Sequence, residues 1–250
     1  MYCLSITSLP FILLISISSA LNTSCAPGGN FDLSIWELQL PIGAKNNPDT
    51  IPTSQLTGCG GYQDPQHMYF FTESKDGAAV FKVPGSPASS VCVTTKNSAH
   101  CRTELREINP SSWDPNAATN RMKVMLNVPE PDDSTMGTVI GQIHIDDSLS
   151  TKPVCELYYS SAGDLNMGVE RNRTGGNEVP TYIGNVPVGG NFTYEIAYES
   201  NKLSVTLNDE PTKGLSTYQL NAPLSYFKVG NYNQGATLSD VHFFSIVVQH

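Results

Sequence analysis

Apolar and polar residues alternate along most of the chain, which is the pattern of a β-strand with one buried face. Glycine and proline, 20 and 17 in the chain, punctuate the gaps, as expected for turns between short strands. A helical period is not sustained over any long segment, and only residues 110–116 and 215–220 leave room for a short helix. The alternation predicts strands at 36–40, 68–72, 79–83, 102–108, 121–127, 139–145, 156–160, 165–171, 192–198, 203–207 and 243–248.

This pattern predicts one all-β domain, most simply a two-sheet sandwich or jelly roll. We place the domain at residues 21–250, because no repeat, low-complexity tract or linker divides it. Residues 1–20 read as a signal peptide: a short apolar run is followed by Ser18, Ser19 and Ala20, small residues that signal peptidase accepts. The run is shorter than the roughly 20 residues of a membrane span. A buried N-terminal strand is the alternative, because no Lys or Arg precedes the run.

We therefore expect a secreted, extracellular protein, and the cysteines are interpreted for an oxidising compartment. Removal of Cys3 with the signal leaves an odd number, so at least one thiol is unpaired. Cys92 and Cys101 enclose a predicted hairpin tip and are the preferred disulfide, with two independent buried thiols as the alternative. The other cysteines are Cys25, Cys59 and Cys155, and the sequons that secretion would make glycosylation sites begin at Asn22, Asn172 and Asn191.

Composition narrows the classes of partner. The chain has 14 Lys and Arg against 23 Asp and Glu, a net charge of −9, so it is a poor candidate for nucleic-acid binding. With 39% hydrophobic residues it has the balance of a globular protein rather than a disordered one. An anionic ligand would require the few basic residues to be focused in one place.

The first unusual strand carries charges on one face. Side chains alternate across a strand, so Arg102, Glu104 and Arg106 share a face at intervals of about 6.6 Å. A solvated edge strand has the same pattern. Alternatively, Glu104 orients both guanidiniums and leaves their forked donors free to bind a carboxylate.

Two further strands have polar faces. Gln142 and His144 point one way from their strand, and His is the side chain best suited to proton transfer near neutral pH. On the other strand Gly230 leaves a gap where a ligand can approach the backbone. Each strand alone is more typical of structural roles, but together the three form a cationic, proton-handling surface that is poor in acceptors. The polar face of the last strand consists of Tyr226, Lys228, Tyr232 and Gln234.

In their order along the chain and in their amino-acid sequence, these segments resemble the signature segments of the alginate lyases of polysaccharide lyase family 7. The segments are Arg102-Thr103-Glu104-Leu105-Arg106, Gln142-Ile143-His144 and residues 226–234, and residues 36–41 resemble the family's first strand. The resemblance spans roughly residue 30 to the C-terminus. It implies a β-jelly roll of two antiparallel sheets with a substrate groove on the concave face.

The resemblance also implies a chemistry, β-elimination of a uronate polymer. Arg102 and Gln142 would neutralise the sugar carboxylate, and donors placed where charge develops supply the largest contribution. His144 would take the C5 proton or help to neutralise the carboxylate, and Tyr232 would protonate the leaving oxygen. Where the C5 proton and the leaving oxygen lie on one side of the sugar, Tyr232 would both remove the proton and protonate the oxygen. Ile143 is associated in the family with guluronate-containing blocks. The substrate-binding groups implied are Glu104, Arg106, Lys228 and Gln234.

The predicted partner is alginate, an anionic polysaccharide, with no cofactor, no metal, no membrane and a monomeric state. Asp146 and Asp147 are more typical of a solvated turn than of a calcium site. A lyase for another polyuronate such as glucuronan remains an alternative. A glycoside hydrolase would need two carboxylates across a sugar bond, and Glu104 and Glu107 lie on opposite strand faces. A carbohydrate-binding module usually needs exposed aromatic platforms, and the only tryptophans are Trp36 and Trp113.

Overall fold

The computed structural model describes residues 20–87 and 91–250. Residues 1–19, which include Cys3 and all of the predicted signal peptide except Ala20, lie outside the described residues. The signal peptide therefore stays a prediction. Within the described ranges, no helix is long and apolar enough to cross a membrane.

The described chain folds into two antiparallel sheets. The front sheet has eight strands in the order β10-β9-β8-β7-β14-β5-β1-β2, and the back sheet has seven in the order β13-β12-β11-β6-β15-β4-β3. This is the predicted jelly roll. The strands are β1 (Trp36–Ala44), β2 (Asn47–Ile51), β3 (Phe70–Thr72), β4 (Ala79–Val83), β5 (Arg102–Glu107), β6 (Arg121–Glu130), β7 (Thr138–Ile145), β8 (Pro153–Tyr159), β9 (Asp164–Val169), β10 (Val179–Asn185), β11 (Phe192–Glu199), β12 (Lys202–Leu207), β13 (Lys213–Leu215), β14 (Ser225–Tyr232) and β15 (Ser239–Gln249).

Every segment predicted as a strand overlaps one, and neither segment that left room for a short helix forms a helix. Residues 110–116 form turns around a β-bridge between Trp113 and Ser225, and residues 215–220 include the last residue of β13 and the turn that follows it. The short helices lie elsewhere, at Pro27–Gly29 and Thr53–Leu56. Alternation missed β2, β10 and β13 because their faces are mostly wet, and a strand without a buried face leaves no such pattern.

The core lies between the sheets and is built from the inward side of each alternating strand. Trp36 and Leu38 point into it from the front sheet, and Phe81 and Phe243 from the back sheet. The rings of Phe81 and Phe243 meet edge to face with centroids 4.9 Å apart. Burying each such side chain stabilises the fold by roughly 1.5–3 kcal/mol, which fixes the register of its strand.

The predicted Cys92–Cys101 disulfide is confirmed, and a second one joins Cys25 to Cys59. Cys155 is free and buried, which accounts for the odd count. Burial raises the pKa of its thiol, so the thiol stays protonated and behaves as a small core residue.

The register of the front sheet brings the three unusual strands together. β14 lies between β7 and β5, so segments far apart in the chain become neighbours. Gln142 pairs with Lys228, and Lys228 pairs with Arg106. The row continues outwards to Glu156 on β8 and Glu37 on β1. Paired residues point to the same face, so the outer face of the sheet carries a continuous polar row.

Candidate active site

A groove of about 1250 Å³ lies on the outer face of the front sheet. Arg102 and Tyr232, cross-strand partners on β5 and β14, line it at one point, and Gln142 and His144 line it from β7. The structure therefore brings all four predicted catalytic residues onto one surface. Of the predicted substrate-binding residues, Arg106 and Lys228 also line the groove.

Glu104 lies beneath the groove and joins three of its residues. One carboxylate oxygen accepts hydrogen bonds from Arg102 Nη1 at 3.0 Å and Lys228 Nζ at 2.9 Å. The other accepts a hydrogen bond from the amide nitrogen of Gln142. Glu104 is only 2% exposed, so it acts by holding these donors in place and not by touching a ligand.

The electrostatics keep Glu104 and Arg102 ionised. Burial alone would raise the pKa of Glu104, but the charges of Lys228 and Arg102 outweigh burial and hold the pKa below its ordinary value. Burial would likewise lower the pKa of Arg102, and the Glu104 carboxylate outweighs it and raises the pKa. Burial and the charge of Arg102 lower the pKa of Lys228. A second negative charge in the groove opposes this lowering, so an anionic ligand favours the protonated form of Lys228.

Tyr232 lies against the positive charge of Arg102. The guanidinium carbon of Arg102 is 3.6 Å from the centroid of its ring, and its hydroxyl is 2.9 Å from Ser98 Oγ. Burial raises the pKa of Tyr232, while Arg102 and the hydrogen bond to Ser98 oppose that rise. The resting group is therefore a neutral phenol whose anion has a stabilising cation at hand.

His144 is a neutral imidazole with a defined orientation. Nδ1 lies 2.9 Å from the carbonyl oxygen of Ile145 and 3.0 Å from the hydroxyl of Tyr226. A carbonyl only accepts, so we assign the proton to Nδ1, which leaves the lone pair on Nε2. Burial, with Lys228 nearby, lowers the pKa of His144 to about 3. The side chain lines the groove as a base that is already deprotonated at neutral pH.

The structure differs from the sequence-based expectations for Glu104 and for Gln234. Glu104 does not orient both arginines, because Arg106 pairs instead with Asp147 at 2.8 Å and, at 3.7 Å, with Glu37. Gln234 follows the end of β14 and is not among the residues that line the groove, and its amide nitrogen donates to the carbonyl of Tyr232 at 3.2 Å. Ile143 is fully buried in the core, so it makes no direct contact with the groove.

The expectation of a groove poor in acceptors is wrong. Glu156, Glu170 and Glu178 line the same end of the groove, and the hydroxyl of Tyr158 lies 2.7 Å from Glu156 Oε2 and 2.9 Å from Glu178 Oε2. A hydroxyl has one proton, so one of these contacts requires a protonated carboxyl. Burial and the neighbouring charge of Glu156 raise the pKa of Glu178 to about 9.

Ser98, Asp147 and Glu178 lie on loops, where no alternation indicates which way a side chain points, so the sequence pattern did not predict them as site residues. Glu156 and Tyr158 carried a usable signal: they are two residues apart on a predicted strand and therefore share a face. Among residues 20–87 and 91–250, no three His, Cys, Asp or Glu side chains are grouped so as to hold a metal ion.

Comparison with known proteins finds relatives similar in sequence and in fold. The family model described as "Alginate lyase" matches residues 31–250. An alginate lyase of Klebsiella pneumoniae is 27% identical over 274 aligned positions, with 85% of each chain covered. The crystal structure of alginate lyase A1-II', a member of polysaccharide lyase family 7, is 31% identical with a TM-score of 0.75, covering 90% of this chain and 98% of that one. A doubly substituted form of that enzyme, bound to a substrate abbreviated GGMG, is 30% identical with a TM-score of 0.75, covering 90% and 97%.

Proposed function

We propose, from the premise that this chain belongs to the alginate lyase family, that Arg102, Gln142, His144 and Tyr232 are the residues with which it cleaves alginate. The family match covers residues 31–250, and substituted forms of alginate lyase A1-II' have structures in complex with a product, GGG, and a substrate, GGMG. The chain is thus a polysaccharide lyase acting on alginate. The roles of the individual residues are argued below from the geometry of the groove.

The first requirement of β-elimination is to make the C5 proton acidic. That proton lies beside an ionised carboxylate, which disfavours a second negative charge on the same sugar. Arg102 supplies a fixed guanidinium and Gln142 a neutral amide, and both are oriented by Glu104. Because the donors are already in place, stabilising the developing enolate costs little reorganisation.

The second requirement is to move two protons. The lone pair on Nε2 of His144 takes the proton from C5, and the C4–O4 bond breaks as the electrons form the C4=C5 double bond. The phenol of Tyr232 gives its proton to the departing O4, and the nearby Arg102 stabilises the phenolate that results. Where the C5 proton and O4 lie on one face of the sugar, the phenolate form of Tyr232, which Arg102 stabilises, takes the C5 proton and then gives the same proton to O4.

One observation carries this proposal: four side chains from three adjacent strands line one groove, and three of them, Arg102, Gln142 and Tyr232, are linked through their contacts. Glu104 holds both Arg102 and Gln142, and Arg102 lies on Tyr232. A hydrolase would need two separate carboxylates flanking a sugar bond. Glu156 and Glu178 both contact the hydroxyl of Tyr158, which places these two carboxyls side by side and not across a sugar bond.

The test is an ultraviolet assay of the purified protein with four polymers: mannuronate-rich alginate, guluronate-rich alginate, glucuronan and an uncharged glucan. Elimination creates a double bond conjugated to the carboxylate, so both alginates should give rising absorbance and the glucan none. New reducing ends without absorbance would show hydrolysis and refute the proposal. Faster absorbance with glucuronan than with either alginate would reassign the substrate.

We also propose that the protein is secreted after cleavage behind Ala20. The N-terminal sequence pattern and the two disulfides, which form in oxidising compartments, support this. Asn22 and Asn191, both exposed, would then be open to glycosylation. N-terminal sequencing of the protein from the culture medium should begin at Leu21, and recovery of an intact N-terminus from inside the cells would contradict the proposal.

A further inference from the structure

The loop between Cys92 and Cys101 carries a hydroxyl that contacts Tyr232. The disulfide closes the loop at its base, next to Arg102, the first residue of β5. Ser98 Oγ lies 2.9 Å from the Tyr232 hydroxyl, 3.1 Å from the carbonyl oxygen of His100 and 3.0 Å from the amide nitrogen of His100. Ser98 and Tyr232 are 134 residues apart, so the contact depends on the fold.

Counting protons assigns a direction to each of these hydrogen bonds. The carbonyl of His100 only accepts, so Ser98 uses its one proton there. The amide of His100 only donates, so it occupies one lone pair of Ser98 Oγ. The remaining lone pair faces Tyr232, so at rest the phenol donates to Ser98. At rest, Ser98 Oγ therefore orients the phenol by accepting its hydrogen bond.

We propose that Ser98 is a positioning residue that acts through Tyr232, accepting a hydrogen bond from the phenol at rest and donating one to the phenolate during the reaction. This inference rests on the proposed role of Tyr232 as the proton donor. It adds a residue from the disulfide loop to the machinery of the front sheet.

The exchange of hydrogen bonds leaves Ser98 chemically unchanged. When Tyr232 gives its proton to O4, the phenolate oxygen gains a negative charge. The hydroxyl of Ser98 rotates from the carbonyl of His100 to that oxygen and keeps its own proton. A hydrogen bond to an anion is roughly twice as strong as a neutral one, so the rotation is favourable. Reprotonation of Tyr232 by solvent returns Ser98 to the carbonyl.

Other charged groups around the phenol bear on its titration. Arg102 on β5 favours the phenolate, whereas Glu104 on β5 and Glu156 on β8 disfavour it. The ring of His100 lies edge-on with centroids 6.1 Å apart, and burial lowers the pKa of this imidazole, so it contributes no positive charge at neutral pH. Ser98 is therefore the hydroxyl partner of the phenol, and Arg102 is its cationic partner.

The test compares Ser98→Ala with Ser98→Thr, which keeps the hydroxyl, and with Ala99→Ser, a change at an exposed neighbour in the same loop. We expect Ser98→Ala to lower kcat by roughly tenfold or more with KM within about twofold, because the lost hydrogen bond is made to a charge that develops during the reaction. The alkaline limb of the kcat profile should move to higher pH, because the phenolate loses a donor. Ser98→Thr should restore both properties, and Ala99→Ser should keep the wild-type limb.

Two results would overturn the inference: a Ser98→Ala variant with wild-type kcat and alkaline limb, or one impaired equally in the Tyr232→Phe background. In that background the phenol is absent, so Ser98→Ala should cost nothing further. Failure of the proposed function is distinguishable, because it would appear as normal turnover by Tyr232→Phe alone. Circular dichroism of each variant identifies loss of folding. If Ser98→Ala does not fold, the pH profiles of Ser98→Thr and Ser98→Cys test the inference in its place.

Discussion

At the residue scale, the guanidinium of Arg102 combines charge with a fixed direction. It is held by Glu104 and lies flat against Tyr232, which a lysine could not reproduce because a point charge lacks the planar fork. We predict that Arg102→Lys lowers kcat by about 100-fold or more, the effect of removing a donor aimed at developing charge. Steady-state turnover of alginate measures it. Arg121→Lys, on the back sheet, is the control and should keep activity, and full activity of Arg102→Lys would remove Arg102 from its role.

His144 makes a second prediction at this scale, because burial lowers its pKa to about 3. The imidazole should stay neutral across the range in which an ordinary histidine, with a pKa of about 6.5, gains a proton. Proton NMR of the ring, assigned by comparison with His144→Gln, should show no titration between about pH 5 and pH 8. A midpoint near the ordinary value would contradict the account, because the base would then be charged in mildly acidic solution.

At the element scale, the contact between β8 and the start of β10 depends on a protonated carboxyl. Burial and the charge of Glu156 raise the pKa of Glu178 from 4.5 to about 9. A raised pKa in the folded state means that the stabilisation is complete below the unfolded value and is lost as the pH rises through the folded value. The contribution of Glu178 to stability should therefore be lost progressively between about pH 5 and pH 9.

We predict that Glu178→Gln flattens this decline, because an amide can donate a hydrogen bond to Glu156 or Tyr158 at any pH. Thermal unfolding at several pH values measures the effect, and Glu210→Gln, an exposed carboxyl in a turn, is the matched control. Identical pH slopes for wild type and Glu178→Gln would show that no shared proton stabilises this contact.

The end of β15 secures a buried carboxylate. Glu107 is fully buried and accepts hydrogen bonds from Trp113 Nε1 and the amide of Phe227, both at 2.9 Å, while His250 Nε2 lies 2.6 Å from its other oxygen. We predict that His250→Ala lowers the free energy of unfolding by about 1–3 kcal/mol, because that oxygen loses its partner. Denaturant unfolding measures it, with the exposed Gln249→Ala as the control. Equal stability of the two variants would contradict this role.

At this scale, strands with one solvent-facing side and one buried side could be predicted from the sequence. Sequence reasoning found β5, β7 and β14 and assigned their groove-facing residues, because alternation fixes the side on which each residue lies. It did not find the partner of Arg106, because Asp147 follows β7 in a loop whose path depends on tertiary contacts. Nor did it place Gln234 correctly relative to the groove, because strand β14 ends before that residue.

At the scale of the whole molecule, an acidic protein presents a locally cationic groove. The net charge of −9 says nothing about where the charges lie, and the order of strands in the front sheet decides it. That order gathers Arg102, Arg106 and Lys228 onto one face, beside the acidic end formed around Glu156. The alternation predicted a two-sheet sandwich or jelly roll, and the resemblance to a known family added a groove on the concave face. The order of the strands was not predicted, since alternation carries no information about pairing.

We propose that this groove breaks alginate by elimination with Tyr232 as the proton donor, and the sharpest test is a comparison of wild type with Tyr232→Phe. Both are incubated with alginate, the absorbance of the new double bond is followed, and binding of alginate is measured alongside. We predict that Tyr232→Phe loses turnover by several orders of magnitude while binding the polymer nearly as well as wild type. A Tyr232→Phe enzyme that forms the double bond at close to the wild-type rate would contradict it.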